Sequence, residues 1–86
     1  MANYKVLITR SASKEIEAVP IKDRRRIIEK IRGLGDDPRP MGVEKLSGDD
    51  KYRLRQGDFR ILYEIQDREL IVTIVRIGNR RDVYRR

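Results

Sequence analysis

Between Lys51 and Gln66 the chain reads KYRLRQGDFRILYEIQ, with apolar and basic positions alternating on both sides of Gly57-Asp58. Alternation with period two marks a half-buried strand, and a two-residue loop with glycine first suits a type II′ turn. The pattern predicts a β-hairpin, and the turn sets its register. Gln56 falls opposite Phe59, Arg55 opposite Arg60, Leu54 opposite Ile61, Arg53 opposite Leu62 and Tyr52 opposite Tyr63. Directly opposed residues share a face of the sheet. One face then carries Tyr52, Leu54, Phe59, Ile61, Tyr63 and Ile65, which is a core, and the other carries Arg53, Arg55 and Arg60.

Arginine opposite arginine is unfavourable, because like charges across a strand pair repel. An anion bound between them relieves the repulsion; alternatively each guanidinium splays into solvent or pairs with Glu64 or Asp58. As a trio on one face the arginines predict an anion site. The formal charge of +7 points the same way. Residues 1–50 carry 11 Lys or Arg against 9 Asp or Glu, whereas residues 51–86 carry 10 against 5. A basic face of this kind attracts a phosphate backbone and equally suits an acidic protein.

The rest of the chain predicts the frame for this hairpin. Tyr4–Thr9 reads as a first strand, and Ser11 is placed to cap a helix running to about Val19. Pro20 ends that helix and starts a second over Ile21–Leu34, whose Ile27, Ile28, Ile31 and Leu34 form an apolar stripe. Lys22, Arg24, Arg25 and Arg26 surround its first turns as a solvated face. Gly33, Gly35, Pro38, Pro40 and Gly42 mark a loop, followed by strands at Glu44–Leu46, Lys51–Gln56, Phe59–Gln66 and Leu70–Ile77. Gly78-Asn79 is expected to turn the chain into an Arg80–Tyr84 tail, with Val83 and Tyr84 as a small latch. The order β-α-α-β-β-β predicts one α+β domain over residues 1–86, with a mainly antiparallel twisted sheet and both helices on one face.

The 86 residues contain neither cysteine nor histidine, which removes disulfides, thiolate metal sites, the commonest zinc ligand and the usual acid–base side chain. No apolar run reaches the length of a membrane span and the N-terminus has no signal pattern. A cytoplasmic protein without metal or other cofactor is the expectation.

SASKEIEAVP at the first helix, KLSGDDKYRLRQGDFRILYEI over the central strands and VRIGNRRDVY near the end resemble the RelE/ParE superfamily of bacterial type II toxins. The terminal G-x-R-x-D-V-Y resembles the RelE branch in particular. That resemblance implies a toxin that enters the 70S ribosome and cuts mRNA in the A site without a metal, using the RNA's own 2′-hydroxyl. It also implies a cognate antitoxin, acidic in its toxin-binding segment. Carried over by position, the catalytic set falls on Arg53, Arg55, Arg60, Arg80 and Tyr84. Arg24, Arg25, Lys45, Lys51, Arg81 and Arg85 are the expected contacts to RNA or ribosome.

The best-known members have lysines where Arg53 and Arg55 stand, and arginine stays protonated and cannot act as a base. By elimination Tyr84 is the candidate to take the 2′-hydroxyl proton, provided Arg80 and Arg81 lower its pKa from about 10. Two other readings stand beside the nuclease: a ParE-like inhibitor that binds DNA gyrase without catalysis, and a passive RNA-binding module.

Overall fold

The computed structural model describes residues 3–46 and 50–79. The chain runs β1 (Lys5–Ile8), α1 (Arg10–Glu17), α2 (Ile21–Asp36), β2 (Glu44–Lys45), β3 (Lys51–Gln56), β4 (Phe59–Gln66) and β5 (Ile71–Asn79). Among the described residues the strands form one sheet in the order β1-β5-β4-β3-β2. The predicted hairpin register is found without a shift, from Gln56–Phe59 to Tyr52–Tyr63. Gly57 has φ +60, the value that the first central position of a type II′ turn needs and that a side chain disfavours.

The sheet is mixed rather than wholly antiparallel: β1 lies parallel to β5, with Val6 beside Val72 and Ile8 beside Ile74. β5 is therefore internal, flanked by β1 and β4, with Val72, Ile74 and Ile77 buried on the face the helices cover. It also runs further than the sequence suggests. Gly78 and Asn79 do not turn the chain but stay in the ladder, paired with Arg60 and Phe59. Continued hydrogen bonding to β4 outweighs the local turn preference of a Gly-Asn pair.

Between Leu62 and Tyr63 the β4–β5 register slips: Leu62 pairs with Arg76 and Tyr63 with Ile74, leaving Val75 as the extra residue. This bulge puts Ile74 and Ile77, three residues apart, on the same face, where both are buried. It simultaneously turns Arg76 onto the opposite face, beside Leu62.

The two helices cover the core face. Ala12 and Ile16 of α1, Val19 just beyond it, and Ile27, Ile31 and Leu34 of α2 pack against Tyr52, Leu54, Ile61, Tyr63, Ile65, Val72, Ile74 and Ile77. Thr9, not Ser11, caps α1. Its hydroxyl accepts the Ala12 N–H at 3.1 Å and donates to the Val75 carbonyl at 3.1 Å, so the cap also ties the helix to the bulge. Pro20 stands at the N-cap of α2, as expected. The helix continues through Gly33 and Gly35 to Asp36, where the glycines by themselves suggest a loop. Gly35 is held by a 2.7 Å hydrogen bond from the Tyr4 N–H to its carbonyl, and a Cβ there would stand 3.1 Å from the Tyr4 carbonyl oxygen. Gly35→Val is expected to cost about 1–3 kcal/mol by forcing helix and strand apart, read as a lowered urea midpoint.

The far end of the sheet is closed by a polar clamp. Arg39 donates to Asp67 from both terminal nitrogens, at 3.2 and 2.8 Å, and from Nε to the Tyr52 hydroxyl at 3.1 Å. Tyr4 donates to the same carboxylate at 2.7 Å, and the Tyr63 hydroxyl donates to the Pro38 carbonyl at 2.7 Å. Burial pushes the Tyr63 phenol up, while the hydrogen bond from Arg39 holds the Asp67 carboxyl below its ordinary 3.8. A carboxyl depressed in the folded state contributes stability that is complete above its unfolded pKa and lost as pH falls through the folded one. Melting temperature should therefore drop on acidification below about pH 4, and less steeply in Asp67→Asn than in wild type. Among the described residues no helix is long and apolar enough to cross a membrane.

Candidate functional site

The sheet face opposite the helices is organised in three cross-strand rows. Lys51 stands opposite Glu64, which stands opposite Thr73. Glu44, Arg53, Leu62 and Arg76 form the second row across β2, β3, β4 and β5. Arg55, Arg60 and Gly78 form the third. The three arginines that period and turn place together in the hairpin are thus adjacent on the finished sheet. Their environments differ: Arg55 is exposed, Arg53 is half-buried, and Arg60 is only 7% exposed. Gly78, directly opposite Arg60, contributes no side chain to that row.

A charged residue is seldom buried unless it is partnered or used. Arg60 sits on the central part of the sheet with Arg55 directly across from it. Planar, permanently charged forks held in fixed positions are suited to gripping two oxygens of a phosphate at once. Their position on strands rather than loops fixes the backbone from which these side chains project.

The carboxylate found on Arg53 is Glu44, a residue that no pattern in the sequence singles out. Its Oε1 accepts from Arg53 Nη2 at 2.7 Å and from Nε at 3.0 Å. The hydrogen bonds from Arg53, with a smaller contribution from the charge of Arg60, hold the Glu44 carboxyl below its ordinary range. Glu44 is therefore ionised at neutral pH. The signal that could have found it is only the pairing of β2 with β3, and a two-residue strand leaves no periodic trace.

Arg76 is a second residue that sequence reasoning misses, because the bulge that turns it onto this face has no sequence signature. Its Nε pairs with Glu15 of α1 at 3.1 Å, and the other oxygen of Glu15 accepts the Ile77 N–H at 2.7 Å. That carboxylate covers the edge of β5 beyond the end of β1 and sets the course of the strand to Asn79. A pocket of about 250 Å³, lined by residues including Glu15, Phe59, Arg76 and Asn79, lies at this end.

The remaining expected contacts are not all gathered here. Lys51 is exposed on the arginine face. Lys45 pairs with Tyr52 on the edge strand β2 and so belongs to the other face by register. Arg24 and Arg25 lie on α2, across the sheet from the arginines. Arg24 is engaged within the fold, where its Nη2 donates to the carbonyls of Glu17 at 2.9 Å and Val19 at 3.2 Å, satisfying the C-terminal end of α1. Arg80, Arg81, Tyr84 and Arg85, and with them the expected Val83–Tyr84 latch, lie outside the described residues. Tyr52 and Tyr63 are buried and stacked, with ring centroids 5.8 Å apart, so they are not a platform for bases.

Residues 6–84 match a family model described as the ParE toxin of type II toxin–antitoxin systems, parDE. The chain is 31% identical to Toxin RelG of Mycobacterium tuberculosis, over 96% of this chain and 98% of that protein. In structure it is similar to RelE in the archaeal RelE–RelB complex of Pyrococcus horikoshii, with TM-score 0.84 and 30% identity over 91% of this chain and 96% of that one. A second similar structure is the toxin–antitoxin complex RelBE2 of Mycobacterium tuberculosis. The TM-score there is 0.81 and the identity 26%, over 93% and 94% of the two chains.

Proposed function

Because the chain belongs to the RelE/ParE superfamily of type II toxins, we propose that it is a ribosome-dependent mRNA endonuclease that acts in the cytoplasm. The observation that carries this reading is the arginine row system: Arg53, Arg55 and a buried Arg60 on the sheet face opposite the helices. The arginines hold the scissile phosphate in line and stabilise charge on its oxygens as the transition state forms. The codon held in the A site supplies proximity of the 2′-hydroxyl to its neighbouring phosphorus. The O2′–P bond forms as the P–O5′ bond breaks, and the departing 5′-oxygen takes a proton from water, leaving a 2′,3′-cyclic phosphate and a 5′-hydroxyl. Tyr84, four residues after Arg80 in the sequence, is the proposed acceptor, as phenolate, of the 2′-hydroxyl proton.

A cognate antitoxin with an acidic toxin-binding segment completes the proposed system. The similar solved structures from Pyrococcus horikoshii and Mycobacterium tuberculosis are toxin–antitoxin complexes, which supports such a partner. Charge complementarity with the net +7 supports its acidity.

The family model carries the ParE description, and that favours one second reading, a non-catalytic inhibitor of DNA gyrase. Ribosomes programmed with a short mRNA separate the two. Wild-type protein, Arg80→Ala and Tyr84→Ala are incubated with them, and the mRNA ends are mapped by primer extension beside a ribosome-free control. Ribosome-dependent cuts lost in both variants are the expected result. Cuts surviving in Tyr84→Ala would remove the tyrosine step while keeping the nuclease. Folded wild type that leaves the mRNA whole but blocks gyrase supercoiling would replace the reading with the second one.

A further inference from the structure

We propose that Glu44 is an internal phosphate surrogate: in the free protein its carboxylate occupies the place on Arg53 that an RNA phosphate takes, and RNA must displace it. This rests on reading the arginine face as an RNA site and adds to it a residue that sets how readily that site opens. The geometry is specific. One oxygen, Oε1, receives both N–H groups on the Nε–Nη2 edge of Arg53, at 3.0 and 2.7 Å. That edge of a guanidinium is one a phosphate oxygen uses. The cross-strand register places Glu44 directly opposite Arg53 on the arginine face, so the meeting follows from the fold. The positive charge of Arg60 acts on the same carboxylate.

The two partners are held unequally. The Arg53 side chain is 22% exposed and the Glu44 side chain 60%, so the cation is fixed by the sheet and the anion is the solvated, replaceable member. β2 is only two residues long and follows Gly42, at φ +92, which leaves the acid on a short edge strand. An exposed carboxylate–guanidinium pair is weak and screened by salt. It can nevertheless discriminate. A lone anion must compete with Glu44 for Arg53 alone, whereas an RNA backbone brings successive phosphates that engage Arg55 and Arg60 as well. Glu44 thereby disfavours stray anions and leaves a multivalent backbone able to enter, which is specificity through a repulsive element.

The test measures binding of a short RNA oligonucleotide, 2′-O-methylated throughout so that it cannot be cut, by fluorescence anisotropy with inorganic phosphate as competitor. Glu44→Gln keeps the shape and removes the charge; Glu69→Gln makes the same charge change at an exposed residue beyond the end of β4. Glu44→Gln should tighten RNA binding about two- to fivefold, and phosphate should compete more strongly against it. Glu69→Gln should do clearly less, and in an Arg53→Ala background the Glu44 effect should vanish. Equal tightening by the two substitutions, or a Glu44 effect that persists without Arg53, would overturn the proposal. If wild type does not cleave while the Arg53-dependent binding gain remains, the phosphate place stands and only the nuclease reading falls.

Discussion

Arg60→Ala is expected to lower ribosome-dependent cleavage about a hundred- to a thousandfold, the usual loss when one preorganised donor to a developing oxyanion is removed. Arg60 differs from the other arginines in being 7% exposed on an internal strand, so its fork is held before RNA arrives. Its loss should fall on the rate constant at saturating ribosomes more than on affinity, because Arg53 and Arg55 still bind backbone. Arg60→Lys sharpens the reading: it keeps charge and stem but loses the planar fork, and should recover binding with little of the rate. Removing Arg60 also relieves its repulsion with Arg55 directly across the hairpin, so the variants should remain folded. Circular dichroism and a thermal melt check that point. A folded Arg60→Ala protein that cuts at the wild-type rate would show that the buried arginine is structural.

The second large effect is on stability. Ile74→Ala should destabilise the protein by about 2–5 kcal/mol, through lost apolar transfer and a cavity its neighbours cannot fill. Ile74 is fully buried, lies between Ile8 of β1 and Tyr63 of β4, and its carbonyl accepts the Thr9 N–H at 3.0 Å. It therefore sits where parallel and antiparallel pairing meet. A domain of this size has a total stability of only about 4–13 kcal/mol, so the loss is a large share. In urea the midpoint should fall with the slope unchanged. Ile21→Ala is the contrast: Ile21 is 61% exposed at the start of α2, and its loss should stay within about 0.5 kcal/mol. Similar losses at the two positions would contradict the packing described for β5.

Much of the fold was legible because the signals are local. The α2 stripe was readable because Ile27, Ile31 and Leu34 recur at helical spacing, and all three are buried. The expected loop at Gly33 and Gly35 failed for a non-local reason. A glycine costs about 1 kcal/mol in a helix, but here the close approach of Tyr4 to Gly35 needs it. The cap moved from Ser11 to Thr9 on similar grounds. Both hydroxyl residues suit the position in sequence, and only Thr9 also reaches the Val75 carbonyl across the sheet.

The candidate site divides along the same line. By itself the sequence determined the hairpin register and the separation of Arg53, Arg55 and Arg60 from the aromatic face, because a period of two and a glycine at a two-residue turn act over neighbouring residues. The tertiary structure alone decided that β1 runs parallel to β5, that the bulge at Val75 turns Arg76 onto the arginine face, and that Glu44 lies on Arg53. Each of these depends on hydrogen bonds between segments distant in the chain. Strand order and register slips follow from how whole strands satisfy their backbone groups together, which no local pattern of side chains records.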